Sequence, residues 1–221
     1  MDRATRCGGS LSGEHCWSLT VTNVHIQWTE TRATPYRGQE AVRHKIADIE
    51  RGLPFPNPGV DIDNGGEFLN WHWVDFFQKH GKPVAFTRSR AYRKNDNARV
   101  EQKNRTHVRK LIGYGRLEGD EVAGALNELY AKEWSRFRNF FSPVMKLVRT
   151  EVEGSRRRRV YDEAMTPFER LKACQNISPK ELDRLERKLS EIDPLVLRKA
   201  IEAKLRKIWK LQKARERKLA A

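Results

Sequence analysis

Cysteine is scarce in this chain: there are three in 221 residues, Cys7, Cys16 and Cys174, and no CxxC spacing. An odd number so spaced encodes neither a disulfide framework nor a zinc knuckle, and the three are read as reduced thiols. Long apolar runs are also missing. No window approaches the roughly 18 uninterrupted apolar residues of a membrane-spanning helix, and the start, MDRATRCGG, lacks the apolar middle of a secretory signal. A cytoplasmic protein is expected, with no membrane partner. No repeat period or low-complexity tract stands out. Acidic residues are few beside basic ones, 29 Asp plus Glu against 44 Lys plus Arg, which leaves a formal net charge of +15. That imbalance favours a polyanionic partner, nucleic acid first, over an acidic or neutral one.

What is present suffices for a core. Apolar residues make up 38% and charged residues 33%, too apolar for a wholly disordered chain and too charged for a membrane protein. At about 150 residues per domain, the length allows one large domain, or one domain with an appendage. Residues 14 to 34 alternate as strands do, with Trp17, Leu19 and Val21 on one face and Ser18, Thr20 and Thr22 on the other. A break near Asn23 to Gln27 and a second alternating run, WTETRAT, complete an antiparallel hairpin that Pro35 stops. From Gly38 to Arg51, Ala41, Val42, Ile46 and Ile49 have helical spacing. A short strand follows at Val60 to Asp63, then a helix from Gly66 to Gly81 with a large aromatic stripe, and another short strand at Val84 to Phe86. Asp96 or Asn97 caps a helix running to about Ile112. A longer helix, about Asp120 to Phe141, carries Val122, Leu126, Leu129, Trp134 and Phe137. Paired strands first and strand-helix alternation afterwards describe an α/β fold, a mixed sheet with helices packed on it.

After Pro143 the character changes. Residues 151 to 221 hold 20 Lys plus Arg against 12 Asp plus Glu and few aromatics. They contain the run Arg156, Arg157, Arg158 and Arg159, and helix starts at Thr166-Pro167 and Ser178-Pro179. A last helix from Pro194 carries an amphipathic stripe of Leu197, Ile201, Leu205, Ile208 and Leu211. Three parts are expected: a core of residues 1 to 142, a basic linker at 143 to 165, and a basic helical region at 166 to 221. The arginine run is either a DNA-contacting strand or loop, or a solvated linker. The final helix is a DNA-binding element, a dimerisation surface or a helix closing its own small bundle, and packing is the commonest reason for such a stripe.

Two segments have the composition of a site. In Val60-Asp61-Ile62-Asp63-Asn64-Gly65-Gly66-Glu67-Phe68 an acid ends a short strand just before a helix, where α/β sheets keep their sites. An Asn-Gly turn with a capping aspartate is the plainer reading. Downstream, Glu101 sits one turn into a helix, and Arg105 and Arg109 recur at i+4 and i+8, so one face presents a carboxylate and then a cationic track. Between Lys82 and Lys110 there are ten basic residues and two acidic ones, a strip suited to a phosphate backbone. Ordinary i,i+4 ion pairs on a solvated helix are the alternative. His15, His25, His44, His72, His80 and His107 have no ligand spacing with cysteines and are read as surface or core residues.

Taken together, DNGGEF, then TRSRAYRKNDNARVEQKN, then a helix ending in LIGY, resemble the catalytic core of DDE transposases and retroviral-type integrases. The resemblance runs from about residue 2 to 150. It implies a ribonuclease H-like fold in which three carboxylates, Asp, Asp and Glu, hold two Mg²⁺ (or Mn²⁺) ions. Asp63 matches the second acid and Glu101 the third, with 37 residues between them. Asp2 is the candidate for the first, because the segment from Asp2 to Gly9 resembles the family's stretch after its first aspartate; Asp61 is a weaker alternative ligand. Only Met1 precedes Asp2, so the chain is expected to be N-terminally truncated relative to the family, with its first strand incomplete and without the usual helix-turn-helix domain.

Hard Mg²⁺ takes oxygen ligands and keeps waters, so a few carboxylates plus phosphate oxygens suffice. Two ions about 3.5 to 4 Å apart clamp the entering and leaving oxygens of an in-line phosphoryl displacement. The expected activity is therefore metal-dependent cleavage and strand transfer of double-stranded DNA, at element ends and target, by a nucleoid-associated enzyme that self-associates when active. Lys94, Arg99, Lys103, Arg105 and Arg109, with Arg156 to Arg159, are the candidates for gripping DNA. The rival is a catalytically impaired remnant that only binds DNA. An RNA-processing nuclease of the same fold class ranks lower, since it rests on fold analogy alone.

Overall fold

The computed structural model describes residues 2–5, 12–56, 59–62, 85–88, 102–154, 156–174 and 177–220. Strand β1 (Asp2–Thr5) pairs antiparallel with β2 (Trp17–Thr22), which places Asp2 opposite Thr20. β2 pairs antiparallel with β3 (Thr29–Thr34), Trp17 facing Thr34. The turn between them is closed by Asn23, whose Oδ1 accepts from the backbone N–H groups of His25 and Ile26 at 2.9 and 3.1 Å. Such local side-chain bonds are why asparagine favours turns.

The strand periodicity is as the sequence predicts, but the polar row of the hairpin does not face water. Ser18, Leu19 and Thr20 are all buried in β2, and so is every residue of β3. Helices cover the sheet, and the hydroxyl row is taken up partly by side-chain bonds such as Ser18 Oγ to Tyr130 OH at 2.9 Å. Helix α1 (Gln39–Gly52) buries Val42, Ile46 and Ile49 and packs beside β3. Arg32 Nε donates to Asp48 Oδ2 of α1 at 2.6 Å. β4 (Gly59–Ile62) and β5 (Ala85–Arg88) then pair in parallel, Gly59 opposite Ala85 and Ile62 opposite Arg88. The aromatic helix expected from Gly66 to Gly81 lies outside the described residues.

Helix α2 covers residues 102–112 and contains a wider π-helical turn over Asn104–Arg109. It stops at Gly113, whose φ of 81° suits glycine. Helix α3, residues 120–141, runs through Asp120–Leu129, a second π-helical turn at Tyr130–Trp134, and Ser135–Phe141. Val122, Leu126, Leu129 and Trp134 are buried along it, as their spacing predicts.

The segment expected as a basic linker is a β-hairpin. β6 (Leu147–Glu153) and β7 (Arg156–Tyr161) pair antiparallel, so the arginine run lies on a strand. Gly154, with φ 58°, occupies the turn, where positive φ is required. Three helices follow where their caps predict. α4 (Pro167–Ala173) starts with a complete capping box between Thr166 and Glu169. α5 (Pro179–Ser190) is capped by the Ser178 hydroxyl, and α6 (Pro194–Ala220) runs to the end of the described chain.

The C-terminal helices do not form a bundle of their own. One core cluster joins Cys16, Ala33, Ile112, Leu126 and Tyr130 to Leu197, Ile201 and Ile208 of α6. A second joins Ile26, Trp28 and Phe140 to Phe168, Leu171 and Leu185. Each amphipathic stripe is thus completed by residues from before position 142, so the expected division there does not separate two hydrophobic cores. The contact is close: a Cβ at Gly115 would lie 2.5 Å from the Trp209 ring of α6. Gln212 Oε1 accepts from the Glu118 backbone N–H at 2.9 Å, and Lys204 Nζ pairs with Glu133 at 2.8 Å.

Candidate active site and nucleic-acid interface

The three expected carboxylates fall on three different pieces of the chain. Asp2 is the first residue of β1. β4 ends at Ile62, one residue before Asp63, and α2 is described from Gln102, one residue after Glu101. Asp63 and Glu101 themselves lie outside the described residues, as do Lys94 and Arg99. Asp61 is in β4, opposite Thr87. The π-helical part of α2 packs against β1, so the helix that follows Glu101 lies beside the strand that begins with Asp2. Among the described residues no group of three or more His, Cys, Asp or Glu side chains is placed to hold a metal ion.

Helix α2 has two unlike faces. Lys103, Asn104, His107 and Val108 are buried, whereas Arg105, Arg109 and Lys110 are exposed. Lys103, expected on the DNA-facing track, points inward and is 5% exposed. The reason is helical geometry: two residues are about 200° of turn at 3.6 residues per turn, so Lys103 opposes the face that carries Arg105. Arg105 and Arg109 keep their place on the outer track. Arg109 also lies over the ring of the exposed Tyr114 at 5.8 Å, a basic-aromatic pair. Tyr114 was not singled out from the sequence, although an aromatic residue just after a basic helix is a readable signal for stacking on nucleic acid.

The inner face of α2 is a desolvated polar layer. Trp134 Nε1 donates to the His107 carbonyl at 2.8 Å, and the Arg138 guanidinium lies over the Trp134 ring at 5.6 Å. Burial, helped by the charges of Arg138 and Arg170, brings the Lys103 ammonium down to about 8. Burial, with Arg138 and Lys103, holds His107 well below its ordinary value, so the imidazole is neutral at pH 7. His107 Nε2 and Arg138 Nε find no hydrogen-bond partner among the described residues. This layer ties α2 to α3 through His107 and Trp134.

The arginine hairpin is held at its base by one residue the sequence reading missed. Arg170 of α4 donates from Nη1 to Asp162 Oδ2 at 2.7 Å, and from Nη2 to Asp162 Oδ1 at 3.1 Å and to the Val144 carbonyl at 2.9 Å. Asp162 Oδ1 also accepts from the Lys146 backbone N–H at 2.5 Å. The Arg170 hydrogen bond is the main cause that holds the Asp162 carboxyl below the usual carboxylate range. Lys146 Nζ reaches back to the His25 carbonyl at 2.8 Å, tying the hairpin base to the β2–β3 turn. From this base both strands run outward, and all of Arg156, Arg157, Arg158 and Arg159 are exposed.

No family model matches the chain. Over 170 residues it is 38% identical to the uncharacterized protein y4rM of Sinorhizobium fredii, a stretch covering 77% of this chain and 48% of that protein. The chain spans about half the length of this curated relative.

Proposed function

We propose that this chain carries the catalytic core of a DDE-type transposase or integrase and acts on double-stranded DNA. The observation that carries the reading is the packing of α2, which follows Glu101, against β1, which begins with Asp2. β4 stops just before Asp63, so in this reading the second acid comes from a third chain segment. The order of elements supports a ribonuclease H-like arrangement: an antiparallel β1–β2–β3 sheet, then α1, then a parallel β4–β5 pair. Asp2, Asp63 and Glu101 are the residues that would hold Mg²⁺ or Mn²⁺. When bound, two such ions polarise phosphate and supply a nucleophile at neutral pH.

The chain's own part is to bind and position the phosphodiester. The outward arginines of α2, Arg105 and Arg109, neutralise phosphates beside the carboxylates. The buried layer beneath them keeps that helix from rotating. Self-association and a place on the nucleoid belong to the same reading. No helix among the described residues is long and apolar enough to cross a membrane.

The test is nicking of supercoiled plasmid in Mn²⁺ or Mg²⁺ by the wild-type chain, Asp63→Asn and Glu101→Gln, with DNA binding titrated at two salt concentrations. Nicking by the wild type alone, with salt-sensitive binding kept by all three, is expected, and Asp2→Asn should then abolish nicking as well. Binding without metal-dependent nicking by the wild type would replace this reading with that of a non-catalytic DNA-binding protein.

A further inference from the structure

The four arginines of β7 do not stand in equivalent surroundings. The β6–β7 register sets Arg156 opposite Glu153 and Arg158 opposite Glu151, while Arg157 is opposite Val152 and Arg159 opposite Thr150. Cross-strand partners share a face of the ribbon, and successive residues alternate between faces. One face therefore carries Arg149, Arg156 and Arg158 together with Glu151 and Glu153. On it Arg149 Nη2 pairs with Glu151 at 2.8 Å, and Glu151 and Val160 are half-buried. The other face carries Arg157, Arg159, Val152, Thr150 and Tyr161, every one of them exposed, and contains no carboxylate. Val152 is 66% exposed and Tyr161 46%, so apolar surface and two uncompensated guanidinium groups share that face.

We propose that this carboxylate-free face of the hairpin docks on duplex DNA, with Arg157 and Arg159 on the phosphate backbone and Arg156 and Arg158 excluded from it. The inference rests on the DNA reading above and divides an arginine run that the sequence leaves undivided. Three observations converge on it. The charge is complementary, because a face with two arginines and no acid attracts a polyanion without first breaking an internal pair. The spacing fits as well: residues i and i+2 of a strand are about 6.7 Å apart, so both guanidinium groups can serve neighbouring phosphates of one strand. Finally, the ribbon is presented rigidly. The Arg170–Asp162 pair and the Val144–Met165 bridge hold its base, and beyond it Thr150, Val152, Arg157 and Arg159 are all exposed on that face. A two-stranded ribbon is narrow enough to enter the major groove, about 12 Å wide, which brings Val152 and Tyr161 against the groove wall.

The test compares two double variants of the full chain, Arg157→Gln/Arg159→Gln and Arg156→Gln/Arg158→Gln, for binding to a labelled random-sequence duplex over a salt series. All four side chains are exposed, so both variants should melt with the wild type. Each phosphate contact contributes roughly 0.9 to the slope of log affinity against log salt. The first variant should therefore lose about two from that slope. Between about 50 and 200 mM salt the wild type should lose roughly tenfold more affinity than this variant does. The second variant should keep both the slope and, within about threefold, the low-salt affinity. Equal losses from the two pairs, or a loss confined to Arg156 and Arg158, would overturn the face assignment while leaving DNA binding intact. A wild-type chain that fails to bind duplex DNA, or prefers phosphatidylserine vesicles to it, would overturn the DNA reading and this inference together.

Discussion

Asn127 holds both backbone groups of Ala33, its Oδ1 accepting from the Ala33 N–H at 2.8 Å and its Nδ2 donating to the Ala33 carbonyl at 2.9 Å. Twelve residues along the same helix, Asn139 does the same for Thr29, at 2.9 and 3.1 Å. β3 is the last strand of its sheet, and such an edge leaves a row of unpaired backbone groups that invites another strand. Here two asparagines of α3 stand in for that strand. Asparagine is a poor helix former, so its presence at one buried and one half-buried helical position has this bonding as its reason.

Removing either asparagine should leave a buried N–H and C=O unpaired. Asn127→Leu and Asn139→Leu are each expected to cost about 1–3 kcal/mol in denaturant unfolding. Their strand sites are four residues apart, roughly 13 Å, so the double variant should lose the sum to within about 0.5 kcal/mol. A marked departure from additivity would show that the two act through one shared element instead of at separate points on the edge.

The Arg170–Asp162 pair should make the hairpin base acid-sensitive. The folded-state pKa of Asp162 is depressed, so its contribution is complete above the unfolded value and is lost as pH falls through the folded one. Amide exchange in β6 and β7 should therefore be faster in Asp162→Asn than in the wild type at neutral pH. The difference in thermal stability between the two should shrink towards zero in acid. A difference that persists unchanged below the folded pKa would assign the clamp to something other than this carboxylate.

Lys103 predicts a slope of the same sign, at alkaline pH. Its folded pKa is about 8, below the ordinary lysine value, so the unfolded chain binds the proton more tightly and folding stability rises with pH between the two. Lys103→Met should be more stable than the wild type at pH 7, by about 3 kcal/mol. That gain should fade as pH approaches 10, and equal gains at both ends would show that folding leaves the proton affinity of Lys103 unchanged.

Much of the architecture was legible because it is written locally. The caps at Thr166 and Ser178, the helical spacing of Val42, Ile46 and Ile49, and the alternation around Leu19 each lie within one turn or one strand. Of the candidate site, the sequence places Arg105 and Arg109 on one outward helix track, and the structure leaves both exposed. Lys103 went astray because a basic residue in a basic strip looks like a DNA contact until the turn of the helix is counted.

The sequence by itself determined the order of the early strands and of the described helices, the excess of basic charge and the carboxylate motifs, since these depend on composition and short-range spacing. Only the tertiary structure decided which surfaces those elements share. An amphipathic stripe states that a helix face must be buried and is silent about its partner, so α6 could be seen to close on α3 only in three dimensions. Cross-strand register likewise separates Arg157 and Arg159 from Arg156 and Arg158, because what stands opposite an arginine is set by a strand that precedes it across a turn.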